Sequence, residues 1–321
     1  MRKALVVGID DYSQCQLRGC CNDADEVEKI LSFDGDGSPN FSVRLEKNIS
    51  KKAILRRLIE ECFSGDDVAL FYYSGHGHID NVGGYLVTPD FTDNDYGISL
   101  QEVLNIANDS HCKDKIIILD SCYSGFMGSI STKGQTTAVI NEGVTILTAS
   151  RSIEPSVEIN GHGLFTSLLI EALCGGAADI TGYITPGGIY AYIDKALGPC
   201  EQLPVFKTNV TRFTPLRKVK PQVDISIIRR ICRYFPSEDA EMPIDPSFEP
   251  TNLLDVKHEV IQPYANPDNT KIFSDLQKLE GIGLVVPVGE DHMYFAAMRS
   301  KTCALTSIGK QYWRLVKGNQ I

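Results

Sequence analysis

The first two thirds of this sequence predict an α/β fold, a mostly parallel sheet covered by helices on both sides. Two observations carry that prediction. Short β-rich apolar runs alternate with stretches of helical spacing. Several of the runs are apolar throughout, as strands buried on both faces are. In order, Ala4–Ile9 is β-rich and closed by Asp10-Asp11. Asn22–Leu31 puts Ala24, Val27, Ile30 and Leu31 on one helical face. Phe41–Leu45 alternates as a strand does. Ser50–Cys62 reads as a helix opened by Ser50, with Ile54, Leu55, Leu58 and Ile59 on one face. Val68–Tyr73, Lys115–Leu119 and Val144–Ala149 read as buried strands, and Leu100–Ile106 as a short helix. Leu164–Leu173 and Ile189–Leu197 are expected helices, and Pro204–Lys207 a last strand.

The texture changes near Lys218-Val219-Lys220-Pro221. Residues 236–250 carry Pro236, Pro243, Pro246 and Pro250 among several acids and read as a connector. Helices are expected at Leu253–Ile261 and Ile272–Glu280. Leu284–Val288 and Met293–Ala297 flank Gly289 as the arms of a β-hairpin would, and a last helix opens near Leu305–Trp313. This order predicts a small winged-helix-like C-terminal domain. The expected boundaries are 1–219, a linker with a short helix at 220–250, and 251–321. There is no internal repeat or low-complexity tract.

At 321 residues the chain has room for two domains of ~100–200 residues each. With 43% hydrophobic and 22% charged residues, it is not intrinsically disordered by composition. The formal charge of −10 argues against nucleic acid or anionic membrane as a partner. The tail is close to neutral. Its Arg229, Arg230 and Arg233 cluster, but nearby acids oppose phosphate binding, so an activator or adaptor protein is the expected partner there. No apolar run approaches the ~18 residues a membrane span needs. The start reads as a first strand, not a secretory signal. Ten cysteines without regular spacing fit a reducing compartment. The expectation is a soluble, cytoplasmic protein.

Two loops carry the chemistry, each at the carboxyl end of a buried strand. The first is Tyr72-Tyr73-Ser74-Gly75-His76-Gly77-His78, the second Asp120-Ser121-Cys122-Tyr123-Ser124-Gly125. Sites in open α/β sheets form outside the carboxyl ends of strands, so a His and a Cys on separate strands can meet there. A thiol supplies a few per cent of strongly nucleophilic thiolate at neutral pH, and an imidazole can activate it or protonate a leaving amine. The glycines flanking His76 let backbone approach a substrate. The N–H groups of Gly77 and Cys122 are the candidate oxyanion donors.

Tyr-Ser-Gly-His-Gly followed 46 residues later by Asp-Ser-Cys-Tyr-Ser-Gly resembles the caspase/metacaspase clan of cysteine peptidases. The spacing is close to the ~50 residues between His and Cys in caspases. The resemblance covers roughly residues 1–210, including Gly163-Leu164-Phe165-Thr166 at the start of a late helix. It implies a caspase-hemoglobinase three-layer αβα fold, with His76 and Cys122 as a catalytic dyad. The Gln-Ala-Cys-Arg-Gly of animal caspases is absent, and the cysteine loop is similar to the metacaspase and bacterial form. Metacaspases line an acidic S1 pocket with an acid two residues before the cysteine and another in a Gly-Cys-x-Asn-Asp segment. Asp120 and Asp23 match these positions. The resemblance therefore implies cleavage of protein substrates after Arg or Lys, held by charge-assisted hydrogen bonds. It further implies a regulated effector of stress, defence or cell-death signalling. Helix capping by Asp23 and loop-amide bonding by Asp120 are the plain structural readings.

Asp90, Asp93 and Asp95 form an acidic loop. Calcium activates many metacaspases, but this spacing is not an EF-hand and acidic loops are usually solvated. No cofactor is expected; no Gly-x-Gly-x-x-Gly or P-loop is present. Lys133, alone as a basic residue in 126–143, is a candidate processing site. His78, His111 and His162 read as ordinary surface or loop residues. Cys15, Cys20 and Cys21 lack the spacing of a zinc site. The competing reading is an inactive scaffold acting as an adaptor or DNA-associated regulator through its tail.

Overall fold

The computed structural model describes residues 1–65, 67–122, 130–132, 135–137, 139–149, 158–159, 162–198 and 204–321. The chain divides into two compact units, Met1–Lys220 and Pro221–Ile321.

The first unit runs β1 (Arg2–Gly8), α1 (Cys20–Ser32), β2 (Ser42–Lys47), α2 (Lys52–Cys62), β3 (Val68–Ser74), β4 (Gly77–Ile79), β5 (Gly84–Thr92), β6 (Asp95–Ser99), α3 (Leu100–Asp109) and β7 (Asp114–Asp120). It continues with β8 (Ile130–Thr132), β9 (Gln135–Thr137), β10 (Val144–Thr148), β11 (Glu158–Ile159), β12 (His162–Gly163), α4 (Leu164–Glu171), β13 (Tyr183–Ile184), α5 (Pro186–Leu197), β14 (Val205–Asn209) and β15 (Arg217–Lys218). Six strands form the central sheet in the order β14-β10-β7-β3-β1-β2. All pairings are parallel except β10 with β14.

Every residue of β3 and β7 is buried, as the apolar runs Val68–Tyr73 and Ile116–Leu119 within them require. Alternation along these strands sorts the core into two layers. Leu5, Val7, Phe71, Tyr73, Ile117 and Leu119 pack with Leu55, Leu58 and Ile59 of α2 and Val103 and Leu104 of α3. Ala4, Val6, Leu70, Tyr72, Ile116 and Ile118 pack with Val27 and Leu31 of α1, Leu169 of α4 and Ile189 and Ile193 of α5. The result is a helix–sheet–helix sandwich.

Helix starts differ from the expected ones. Ser50 does not cap α2; Asp90 reaches across from β5 and accepts from the Lys52 amide at 3.1 and 3.2 Å. Asp10, just past β1, accepts the Cys20 and Cys21 amides at 2.9 and 3.1 Å and so caps α1. Asp23, one turn further on, is left available for another role. The antiparallel sheet β4-β5-β6 had no forecast, because β4 is only three residues long and the β5–β6 pairing is irregular between Val87 and Thr92.

The second unit holds α6 (Ile225–Arg229), α7 (Ile231–Tyr234), β16 (Glu241–Pro243), α8 (Pro267–Gly281), β17 (Val285–Val288), α9 (Met293–Met298), β18 (Thr302–Leu305) and α10 (Ser307–Lys317), with an antiparallel sheet β16-β18-β17. Two expectations are corrected here. Met293–Ala297 is not the second arm of a hairpin. It lies in α9, with Met293, Ala296 and Ala297 buried at helical spacing, and β17 pairs instead with β18. Leu253–Ile261 is not helical. Buried Asn252 pins that stretch: its amide donates to the carbonyls of Pro246, Ile261 and Pro263, and its oxygen accepts the Ile261 amide at 2.9 Å. Arg230 is occupied by Asp275 through two bonds of 2.7 and 3.0 Å, which removes it from the tail's basic cluster.

Candidate active site

β3 and β7 are parallel neighbours with Ser74 opposite Asp120, so both end at one edge of the sheet. The two loops leave that edge side by side. The Gly75 amide donates to the Asp120 carbonyl at 3.3 Å. A methyl group at Gly77 would overlap the Cys122 carbonyl oxygen and stand 3.3 Å from the Cys122 amide nitrogen. Only glycine permits an approach this close. His76 and Cys122, both half-buried, flank this contact from the two strands.

His76 is held on several sides. Its amide donates to Tyr12 Oη at 3.1 Å, and its carbonyl accepts the Val87 amide at 2.9 Å. The Tyr12 ring tilts against the imidazole with centroids 4.6 Å apart. Tyr12 and Tyr73 hydroxyls lie 3.2 Å apart, and burial pushes both phenols up, so they serve as neutral hydrogen-bonding groups. His76 Nε2 lies 2.6 Å from the carbonyl oxygen of Cys15, a residue held at φ 61°. A carbonyl only accepts, so Nε2 carries the proton. In the neutral ring, Nδ1 is then the basic nitrogen.

Beside His76 and Cys122 lie two buried carboxyls. Asp23, from α1, is 1% exposed, and Asp120, at the end of β7, is 7% exposed. Asp120 Oδ2 accepts the Thr166 hydroxyl at 2.7 Å and its amide at 3.3 Å. Because Thr166 donates its proton to Asp120, the Tyr72 hydroxyl 2.6 Å away donates to Thr166. Asp23 Oδ2 accepts Ser74 Oγ at 3.1 Å and the Gly163 amide at 3.4 Å, and Asp23 Oδ1 accepts His162 Nδ1 at 2.8 Å. A methyl group at Gly163 would stand 2.7 Å from Asp120 Oδ2 and 3.6 Å from Asp23 Oδ2, so both acids face that glycine. Burial, with the charge of Asp120 behind it, pushes the Asp23 carboxyl up to about 6, against the hydrogen bonds from His162, Ser74 and Gly163. Burial also raises Asp120. Among the described residues, neither buried acid has an Arg or Lys partner.

A sequence model of the caspase domain matches residues 1–212. The chain belongs to the caspase-domain family. That membership supports a cysteine-peptidase type of function and implies protein substrates. No curated protein matches the chain. Among solved structures, a protein from Geobacter sulfurreducens is similar at 15% identity and a TM-score of 0.47, the match covering 68% of this chain and 99% of the other. Caspase-1 from Spodoptera frugiperda is similar at 16% identity and a TM-score of 0.43, covering 68% of this chain and 90% of the other.

Asp90 caps α2 and bonds Thr88 Oγ1 at 2.6 Å, while Asp95 pairs with Lys52 at 2.8 Å. Asp93 stands in the turn between them. Among the described residues, no three His, Cys, Asp or Glu side chains group to hold a metal. Lys133 lies outside the described residues. His78 stacks on Tyr96 at 3.8 Å. His162 is not the ordinary loop residue expected, since it pairs with Asp23. Burial pushes the thiols of Cys21, Cys62 and Cys303 up to about 12, and that of Cys20 also rises, which leaves them protonated and weak nucleophiles. The Cys15 carbonyl had no sequence signal, because every residue carries one.

Proposed function

We propose that the protein is a cysteine endopeptidase that cleaves proteins after Arg or Lys. One observation carries this reading: the Gly77 backbone packs on that of Cys122, at the shared edge of two strands in register. Cys122 Sγ attacks the scissile carbonyl and His76 Nδ1 takes the thiol proton. The N–H groups of Gly77 and Cys122 donate to the oxyanion; losing one such donor typically costs about 10²–10³ in rate. The C–N bond breaks as His76 returns the proton to the leaving amine, leaving a thioester on Cys122. Water then attacks, giving its proton to His76, and the thioester C–S bond breaks. The Cys15 carbonyl holds Nε2–H, which makes Nδ1 the nitrogen for these transfers. Asp23 and Asp120 offer the P1 cation a carboxylate floor.

The protein would act in the cytoplasm as a regulated effector of stress, defence or cell-death signalling. A partner docking on residues 221–321, calcium or cutting at Lys133 would switch it on. The test is a fluorogenic peptide panel varied at P1, run with and without calcium and with Cys122→Ala as control. Turnover after Arg and Lys, lowered at least a thousandfold by Cys122→Ala, is expected. Preference for Asp at P1 would overturn the specificity. Equal cleavage by both chains would favour the scaffold reading.

A further inference from the structure

The acidic pocket is already occupied from within. Asp23 has its Oδ2 committed to Ser74 Oγ and the Gly163 amide, both fixed parts of the wall. Its Oδ1 is the position left to an incoming cation, and His162 Nδ1 holds it at 2.8 Å. The pair is layered: the Asp23 side chain is 2% exposed and that of His162 30%, so the imidazole is the outer member. His162 lies on β12, a two-residue strand, and Gly163 bonds the same carboxylate before α4 begins. Around the pair stand Asp120 from β7, the Cys20 thiol from α1, and the Tyr72 phenol and Ser74 hydroxyl from β3.

We propose that His162 is a displaceable occupant of this pocket, bound where the P1 guanidinium or ammonium must bind, and that it sets how strongly the pocket selects a cation. The inference rests on the basic-P1 reading above. The exchange leaves the hydrogen bonds on Asp23 balanced. The substrate cation donates to Asp23 Oδ1 as His162 Nδ1–H turns out to water, so the pocket is never left with a bare buried acid. Selectivity is then the difference between the substrate's bond to Asp23 and the one His162 gives up.

The test uses the full chain carrying Cys122→Ala, so that peptides bind without being cut. Calorimetry at pH 8 compares two peptides that differ only in arginine or norleucine at P1. Adding His162→Ala should tighten the arginine peptide about tenfold, the size of one hydrogen bond to a charged group. Adding His162→Lys, a permanent cation in the same place, should weaken it about as much. The norleucine peptide should stay within twofold in both, which also reports that the site is folded. If either variant weakens both peptides together, or if His162→Ala weakens the arginine peptide, His162 is a wall of the pocket and the inference falls alone. If no chain prefers arginine over norleucine, the basic-P1 reading falls and takes this inference with it.

Discussion

Asp23 is an acid placed where burial works against its charge. Its carboxyl titrates at about 6, above the ordinary 3.8. A carboxyl raised on folding adds stability only while protonated. That contribution is whole below about pH 4 and is lost as pH rises through about 6. At neutral pH the native state therefore carries a strained anion, the kind of cost found where a charge serves binding. Asp23→Asn should unfold at higher denaturant than the parent at pH 8, by up to about 3 kcal/mol. It should match the parent at pH 4 and lose the preference for Arg over norleucine at P1. A variant less stable at pH 8 would show that Asp23 serves the fold rather than the pocket. At this scale the sequence was most legible where chemistry is tied to side-chain type. His76, Cys122 and Asp120 stand out as candidates in their loops, and Asp23 in the segment that opens α1. Backbone groups such as the Cys15 carbonyl could not, and His162 gains its meaning only from the acid it meets across 139 residues of chain.

The elements were legible in proportion to their burial. The central runs of β3 and β7, Val68–Tyr73 and Ile116–Leu119, are apolar throughout because helices cover both faces of the sheet, and no other structure suits such runs as well. The partly exposed strands β4, β5 and β6 leave no such trace. In the second unit, five apolar residues at Met293–Ala297 fit a strand or a helix turn equally, and tertiary packing chose the helix. Leu253–Ile261 has helical spacing, but Leu253, Leu254 and Val256 are exposed, so no buried face supports a helix against the Asn252 clamp. The site depends on how closely two elements approach. Gly77→Ala should force the His76 and Cys122 loops apart and lower kcat/KM at least a hundredfold. Gly83→Ala, in the connection between β4 and β5 and facing open space, should leave kcat/KM within twofold. Equal effects of the two would mean that the Gly77–Cys122 contact is not part of catalysis.

Across the molecule, the sheet gathers residues distant in sequence at one edge: Cys15, Asp23, His76, Asp120, Cys122, His162 and Thr166. Parallel strands present their carboxyl ends together, so the loops after β3 and β7 leave the sheet side by side. The account's central claim is that one thiol of this edge forms the acyl-enzyme. Peptide mapping after treatment with an arginyl chloromethyl ketone tests it most directly, since half-buried Cys122 competes there with exposed Cys15, whose carbonyl already holds His76. Stoichiometric alkylation of Cys122, lost in His76→Ala while Cys15 stays unmodified, is the predicted result. Labelling of Cys15 instead, or labelling of Cys122 that is indifferent to His76, would contradict it.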